Sequence, residues 1–376
     1  MSGRYLYTSQ PGSARSRIYR RLYETEDFCS RQDLAAACGI SMPTLYQNLT
    51  ELMDGGLVRY SGEERSTGGR KAQGLEIVPD ARIAVGVSVT ERHLRLTAAD
   101  LRLGELAYRS LPYDLAYQLR AGETRLSEFL ESFLDDYQLN RDRLLGVGIA
   151  IPGIIDRGRG LVYRAPTMGL RDVPLEPLIR DVAYPVHVEN DASCSGHAEY
   201  FARGSRRNLA YISLENGVGG AVMIGGRPYP GSRGRSGEFG HICVEPGGAR
   251  CSCGRRGCLE AYCSPLRIQR EFDISLSDFF RGVEEHVPEY ETLLYDMLRH
   301  LAIAVNSIRM TLDCDVILGG LLSGYLSPYL PILRRYVLAG NPFDTDGEFL
   351  RLSSIRRHIS PMGAALHFIQ EFISAI

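Results

Sequence analysis

Lysine is almost absent from this sequence of 376 residues: Lys71 is the only one, and arginine carries the rest of the positive charge. Tryptophan is missing, and no apolar run reaches the roughly 18 residues that a membrane-spanning helix needs. No signal peptide precedes the first arginines, so we expect a cytoplasmic protein with no membrane partner. The 44% hydrophobic and 23% charged residues are typical of a globular chain, and the length favours two or three domains.

The net charge is small, −2 at pH 7, so the chain as a whole is not a polycation that binds nucleic acid. The charge is unevenly distributed, however. Residues 1–75 hold ten Lys or Arg against eight Asp or Glu, whereas the other 301 residues hold 33 against 37. A slightly basic head on an acidic body indicates that only the head meets an anionic partner. A solvated N-terminal extension without a partner is equally compatible with these charges.

Residues 30–52 predict two short helices separated by a tight turn. Ser30 can cap the first helix, with Asp33 completing a weak capping box, and Gly39 can end it in the left-handed conformation. Ser41 can cap the second helix. One face of that second helix is predicted to be buried because its leucines recur at spacings of four and three: Leu45, Leu49 and Leu52.

Two helices joined in this way form a helix-turn-helix, whose second helix enters the DNA major groove. Strands at 58–60 and 75–78 around a polar tip at 62–73 would add a wing, although a helical hairpin used for protein contacts is the alternative. The combination favours a winged-helix DNA-binding domain over residues 1–79, reading double-stranded operator DNA. Its predicted DNA contacts are Ser41, Met42, Thr44, Tyr46 and Gln47 on the second helix and Arg70 and Lys71 on the wing.

After residue 79 the pattern alternates between strands and helices, as in an α/β protein. Strands are predicted at 83–89, 93–98, 144–150 and 186–189, and an amphipathic helix at 126–137. Ligands in α/β sheets bind at the carboxyl ends of strands. Asn190 and Asp191, which directly follow a strand, are therefore candidates to bind a ligand hydroxyl. Asn190 is equally suited to cap the helix that begins at Ala192.

The strongest local signal is His241 followed ten residues later by a Cys-x-Cys-x4-Cys segment, Cys251, Cys253 and Cys258. Three thiolates and one imidazole suit a tetrahedral Zn²⁺. Buried structural thiols are the alternative, but three cysteines within eight residues favour a metal. Because protein groups fill all four positions, the sequence predicts a structural zinc ion.

These residues together resemble the ROK family of repressors, open reading frames and sugar kinases. The matching segments are Glu238-Phe-Gly-His241, residues 251–260, Asn190-Asp191, Pro152-Gly153 and Asp172-Val-Pro-Leu175. The resemblance runs from about residue 15 to the C-terminus, and the winged-helix head makes the chain similar to the xylose-repressor-type branch. It implies an actin-like (ribonuclease H-like) fold of two α/β lobes with a sugar between them. The first lobe would span 80–189, joined by a C-terminal helix at 360–376, and the second lobe, with the zinc knuckle, 190–359.

The resemblance also implies a sugar site, in which His241 binds zinc through one nitrogen and meets the sugar with the other. The family commonly has Asn near Thr167 and Trp near Leu170, so this chain departs from it at both places. The residues implied to line the site are Gly153, Thr167, Asn190, Asp191, Glu238, His241 and Glu260.

Family kinases need a phosphate loop that this sequence does not preserve. Ser88 stands where an acid is expected, no glycine occurs between Gly86 and Gly104, and Val218 replaces the usual Thr of a second loop. Asp191, the catalytic base of the kinases, is retained. We therefore expect no sugar phosphorylation, and a repressor that responds to a sugar or sugar phosphate and acts as a homodimer or homotetramer. A sugar kinase that kept a DNA-binding head is the alternative, and a binding module for another protein is a third.

Overall fold

The computed structural model describes residues 13–25, 29–65, 72–122, 124–204 and 207–376. Its first part is a head of three helices followed by a two-stranded hairpin. These elements are α1 (Ala14–Glu24), α2 (Arg31–Cys38), α3 (Met42–Asp54), β1 (Val58–Arg65) and β2 (Ala72–Ile77).

The caps of the head helices are those that the sequence predicts. The Ser30 hydroxyl accepts from the Asp33 backbone N–H at 3.2 Å, and the Asp33 carboxylate accepts from the Ser30 backbone N–H at 3.2 Å. Gly39 ends α2 with φ 60, and Ser41 caps α3. The three leucines of α3 are all buried, which confirms the helix-turn-helix.

The hairpin pairs its strands further into the tip than the sequence predicts. β1 and β2 are antiparallel from Val58↔Ile77 to Arg65↔Ala72, so the predicted tip at 62–73 was too long. The polar side chains hid this pairing, because ladder hydrogen bonds involve only the backbone. The proposed DNA contacts Arg70 and Lys71 lie outside the described residues.

The first lobe is built on a five-stranded sheet with one antiparallel and one parallel half. Its strands are β3 (Ile83–Val89), β4 (His93–Asp100), β5 (Glu105–Pro112), β6 (Leu144–Ile151) and β10 (Val186–Asn190), in the order β10-β6-β3-β4-β5. A three-stranded sheet of β7 (Ile154–Asp156), β8 (Leu161–Ala165) and β9 (Leu170–Pro174) adjoins it. The helices are α4 (Leu115–Ala121), α5 (Leu126–Asp136) and α6 (Glu176–Ile179).

The second lobe repeats the plan with a mixed sheet and more helices. Its strands are β11 (Leu209–Leu214), β12 (Val218–Ile224), β13 (Arg227–Pro228), β14 (Asp315–Gly319) and β15 (Leu350–Leu352), in the order β13-β12-β11-β14-β15. The helices of the second lobe are α7 (Asp191–Arg203), α8 (Leu259–Cys263), α9 (Pro265–Phe272), α10 (Leu276–Glu284), α11 (Pro288–Leu312) and α12 (Leu330–Ala339). The C-terminal helix α13 (Ile359–Ala375) packs on the first lobe. None of the described helices has the length and apolar character that a membrane crossing requires.

Helix α13 lies across β3 and β6 of the first lobe and packs along α7. The approach is close enough to need glycine on both sides. A Cβ on Gly148 of β6 would collide with the carbonyl oxygen of Ala364, and a Cβ on Gly363 of α13 would collide with that of Cys194 on α7. The C-terminal helix therefore fixes α7 against the first lobe. The domain boundaries that the sequence suggested, at 79, 189 and 359, stay predictions.

The head is packed directly onto this helix pair. Buried head residues such as Ile18 and Leu22 belong to the same apolar core as Ile369 and Ile373 of α13. The Tyr23 hydroxyl of α1 donates to the carbonyl oxygen of Leu101, and its ring centre lies 6.2 Å from that of Phe201 near the end of α7. The helix-turn-helix is thus in contact with both helices that join the lobes.

We expect Gly148→Ala to destabilise the protein strongly, because the added methyl meets a helix backbone that cannot rotate away. Overpacking of this kind costs about 1–3 kcal/mol or more. Thermal melts measure the effect. Gly324→Ala is the matched control, since a Cβ there meets no atom within 4 Å. Equal melting temperatures for the two variants would contradict the proposed tight contact.

Candidate functional site

The four predicted metal ligands come together in the structure. One ligand atom from each of His241, Cys251, Cys253 and Cys258 lies within 4.8 Å of all the others. Cys251 Sγ is 3.8 Å from His241 Nδ1, and Cys253 Sγ is 3.8 Å from Cys258 Sγ. Two sulfur ligands that each lie about 2.3 Å from a tetrahedral ion are about 3.8 Å from each other. The donor set and its spacing therefore fit one metal ion.

Two glycines allow the knuckle to fold this tightly. Gly254 and Gly257 have φ values of 91° and 82°, which other residues rarely adopt. A Cβ on Gly257 would collide with the carbonyl oxygen of Glu245. Cys251 and Cys258 are buried in the apolar core of the second lobe, and Cys253 packs against that core, so the knuckle is anchored to the lobe.

His241 presents its second nitrogen to a neighbouring carboxylate. Nε2 lies 3.8 Å from Glu238 Oε2, on the side of the ring away from Cys251. Glu260 lies on another side of the cluster, where Oε1 accepts from the Ser252 hydroxyl at 2.6 Å and Oε2 from the Val218 N–H at 3.1 Å. A metal bound to Nδ1 would therefore set the direction in which the Nε2 proton points.

The side chain of Asn190 caps α7, which is one of the two roles that its position in the sequence suggests. Its Oδ1 accepts from the Ser193 N–H at 2.9 Å and caps α7, while its Nδ2 donates to the Gly153 carbonyl at 2.8 Å. Asp191 follows in the first turn of α7, with Oδ1 accepting from the Ala192 N–H at 2.8 Å. The carboxyl ends of β6 and β10 thus meet at this point.

Thr167 lies opposite Glu260 across the loop after β11. A Cβ on Gly217 would be 3.7 Å from Thr167 Cγ2 and 3.5 Å from Glu260 Oε2, so groups from both lobes approach the same glycine. Leu170, where the family commonly has Trp, is buried in the first lobe. The seven residues of the proposed sugar site are therefore grouped around Asn190, Glu238 and Glu260, and their roles stay predictions.

Three carboxyl groups at this site have raised pKa values. Burial raises the pKa of Asp191 to about 6, with a smaller contribution from the charge of Glu238. Burial also raises the pKa of Glu215 to about 7, and the charge of Asp191 raises it further. Burial is also the main cause that raises the pKa of Glu238. Strongly shifted groups in a cleft are typical of functional sites.

Glu215 is a site residue that the sequence analysis missed. It follows β11 directly, at the start of the glycine-rich turn 216–220. The charge of Arg95 on β4 opposes the rise in its pKa. The signal available in the sequence was an acidic residue placed directly between a strand and a glycine-rich segment.

The exposed face of α3 carries the predicted base-reading residues. Tyr46 and Gln47 are exposed, whereas Met42 packs partly against the head core and the Ser41 and Thr44 hydroxyls bond to each other at 2.9 Å. Arg31 was missed: its guanidinium donates to the Tyr46 hydroxyl at 3.3 Å and lies over the Tyr46 ring. The face thus presents an oriented positive charge beside Tyr46.

Head and body together define a class of protein: two α/β lobes with a Cys₃His knuckle, joined to a helix-turn-helix. The ROK family profile matches residues 118–368, and a helix-turn-helix domain profile matches residues 13–61. Since the first match covers more than half of the chain, this protein belongs to the ROK family.

Three known proteins illustrate the similarity. The chain is 29% identical to the xylose repressor of Bacillus subtilis (strain 168), over 88% of this chain and 82% of that protein. A ROK family transcriptional regulator, homologue of the Escherichia coli MLC protein, superposes with a TM-score of 0.75 at 22% identity, covering 96% of this chain and 95% of its own. A ROK hexokinase from Thermus thermophilus superposes with a TM-score of 0.62 at 27% identity, covering 78% and 99%.

These comparisons confirm the family and the actin-like two-lobed fold predicted from the sequence. The hexokinase aligns over 99% of its own length but over only 78% of this chain. The part of this chain that does not align is about as long as the head. The regulator structure, in contrast, matches nearly all of it.

We expect Asp191→Asn and Glu215→Gln to stabilise the protein at pH 8 more than at pH 5. A carboxyl whose pKa is raised on folding contributes stability below its unfolded pKa, and that contribution is lost as pH rises through the folded pKa. For Asp191, with a pKa rising from 3.8 to about 6, removal of the charge is worth at most about 3 kcal/mol at pH 8.

Melting temperatures at the two pH values measure this effect. Asp181→Asn, which removes an exposed carboxylate, is the control for net charge. If the stabilisation by the two site variants does not grow with pH, the carboxylates are not held in the desolvated environment described.

Proposed function

We propose that this protein is a sugar-responsive, DNA-binding transcriptional repressor of a carbohydrate-utilisation operon. The observation that carries the proposal is the shared apolar core between the helix-turn-helix head and α13, the helix that also holds α7 against the first lobe. The match to the xylose repressor covers 88% of this chain and 82% of that protein, so it includes most of both chains. Because a two-helix reader covers few base pairs, we propose that the protein acts as a homodimer on a palindromic operator, or as a homotetramer.

The sugar is proposed to bind between the lobes at Gly153, Thr167, Asn190, Asp191, Glu238, His241 and Glu260. Carboxylates and an amide suit this ligand because each can bond to neighbouring hydroxyls. The metal of the Cys₃His cluster is proposed to be a structural Zn²⁺, since four protein donors leave no position open for catalysis. When bound, it fixes the orientation of the His241 ring.

We expect one zinc per chain by elemental analysis, and loss of both zinc and sugar binding in Cys253→Ser. The two losses are linked because the metal orients His241 towards the sugar site. Cys243→Ser is a matched control, since this exposed cysteine adjoins the knuckle but lies outside the ligand cluster. The sugar used in this test is the one that raises the melting temperature most in a screen of hexoses, pentoses and amino sugars. Undiminished sugar affinity in a zinc-free Cys253→Ser protein would break this link.

For the head, we expect Gln47→Ala to reduce the preference for operator over unrelated DNA, by on the order of tenfold for the loss of one good base contact. Tyr46 is proposed to read bases with it. Arg31→Gln should instead weaken binding to all sequences and lower the salt slope by about one, as expected for a phosphate contact. Arg70 and Lys71 are still proposed to contact the DNA backbone or the minor groove.

Both measurements use the DNA upstream of the protein's own operon, with Gln269→Ala on α9 of the second lobe as control. If neither head variant alters affinity, specificity or salt dependence, the head does not read DNA.

Asp191, which the kinases use as a base, supports a second candidate function, an ATP-dependent sugar kinase. Two observations weigh against it. Ser88 is buried in β3, and the carboxylate of Glu215 lies at the start of the glycine-rich turn where phosphate groups would need a neutral or positive environment. A coupled assay that gave turnover above about 1 per second with ATP and a bound sugar would favour the kinase.

A repressor needs a physical connection between sugar and DNA, and α7 supplies one. Asn190 and Asp191 begin the helix at the sugar site, and Phe201 near its other end contacts Tyr23 of the head. Thirteen residues of helix span about 20 Å, so one rigid element links the two sites.

We expect Phe201→Leu to reduce the effect of sugar on DNA affinity, on the order of fivefold, while each ligand alone still binds. Leucine keeps the site apolar but loses the ring contact with Tyr23. Tyr23→Phe, which removes only the hydroxyl bond to Leu101, should act in the same direction. Phe280→Leu in the second-lobe core is the matched control. DNA titrations with and without the sugar measure the coupling, and a full sugar effect in Phe201→Leu would exclude this route.

A further inference from the structure

A cavity of about 820 Å³ opens beside the candidate sugar site. Gly153, Asn190 and Glu238 form one side of it, whereas Thr167, Glu260 and the metal ligands do not line it. Its volume is near the upper end of the roughly 300–1,000 Å³ found for small-molecule sites. A sugar held by Asn190 and Glu238 therefore has space next to it for a further group.

Three histidines from three different elements line this cavity: His187 of β10, His197 of α7 and His367 of α13. The rings of His187 and His367 are stacked, with centres 3.6 Å apart. Burial lowers the pKa of His187 and of His197 to about 4, so both are neutral at pH 7. The imidazoles provide polar groups without adding negative charge.

The charged groups around the cavity have an excess of positive charge. Five arginines line it against three carboxyl groups: Arg157, Arg159, Arg227, Arg233 and Arg235 against Asp156, Glu189 and Glu238. Arg157 pairs with Glu189, and Arg159 lies 3.7 Å from Asp172, so the positive character of the cavity depends chiefly on the loop that carries Arg233 and Arg235. Guanidinium groups stay charged at every accessible pH.

The arginines converge from both lobes, which distinguishes them from ordinary surface charges. Arg157 and Arg159 follow β7 of the first lobe, and Arg233 and Arg235 follow β13 of the second. Arg235 is oriented, because its guanidinium carbon lies 5.3 Å from the ring centre of Tyr163, which also lines the cavity. Two basic loops facing one polar cavity form a site suited to an anion.

We propose that this cavity is a second compartment of the effector site and that it binds an anionic group, a carboxylate or a phosphate ester, attached to the sugar. The inference rests on the proposed sugar site, because Asn190 and Glu238 border both compartments. It deepens that function by assigning the effector class: an acidic or phosphorylated sugar is bound more tightly than its neutral parent.

The test compares matched sets of ligands: glucose, mannose, galactose and N-acetylglucosamine, each with its 6-phosphate and, where one exists, its uronic acid. Calorimetric titrations should show at least one anionic member binding on the order of tenfold or more tighter than its neutral parent, the gain expected for hydrogen bonds to a charged group. That gain should shrink as salt is added. Inorganic phosphate should compete with the anionic ligand and not with the neutral sugar.

Two variants locate the effect. Arg233→Gln and Arg235→Gln together should reduce the ratio of anionic to neutral affinity by on the order of tenfold. Arg270→Gln on α9, outside the cavity, should leave the ratio unchanged. Comparing the ratio within one variant cancels any general change in folding.

The possible outcomes distinguish a failure of this inference from a failure of the proposed function. If neutral sugars bind and no anionic member binds more tightly, or if the arginine variants keep the full preference, the second compartment is refuted while the sugar site stands. If no sugar of either kind binds to the zinc-loaded protein, the proposed function itself fails, and this inference with it.

Discussion

The contact between α13 and α7 is the interaction on which the rest of this structure depends. Gly363 lets the backbone of α13 approach that of α7 closely, and Gly148 lets the same helix approach strand β6. Close packing of this kind transmits displacement well, because a dense interior has no voids that absorb it. The lobes, the start of α7, where the sugar site is proposed, and the head are consequently packed against one another.

The candidate sites are built from short chain segments that this body brings together. The Cys₃His cluster lies against the core of the second lobe, and His241 Nε2 faces Glu238. From the opposite side, the ends of β6 and β10 deliver Gly153, Asn190 and Asp191. This arrangement supports the proposed recognition of a sugar by fixed donors and acceptors. The desolvated carboxyl groups Asp191 and Glu215 are its cost in stability.

Parts of the fold that depend on local chemistry could be predicted in detail. The caps at Ser30, Gly39 and Ser41 and the buried leucines of α3 are encoded within a few residues of one another, and the structure has them as predicted. The tip predicted for the wing, 62–73, was too long, because the pairing of polar residues in β1 and β2 leaves no hydrophobic pattern. β5 and most helices of the second lobe were not predicted, since their sequences offered no signal as specific as a cap or a ligand spacing.

The sequence by itself determined the helix-turn-helix and the Cys₃His cluster, because each is written in residues that lie within about thirty positions. Tertiary structure alone decided which distant groups meet. It placed Phe201 against Tyr23, Glu215 beside Asp191, and three histidines with arginines of both lobes around one cavity. These pairs are separated by tens to hundreds of residues, and their contact depends on the packing of whole helices and sheets, which no local spacing records.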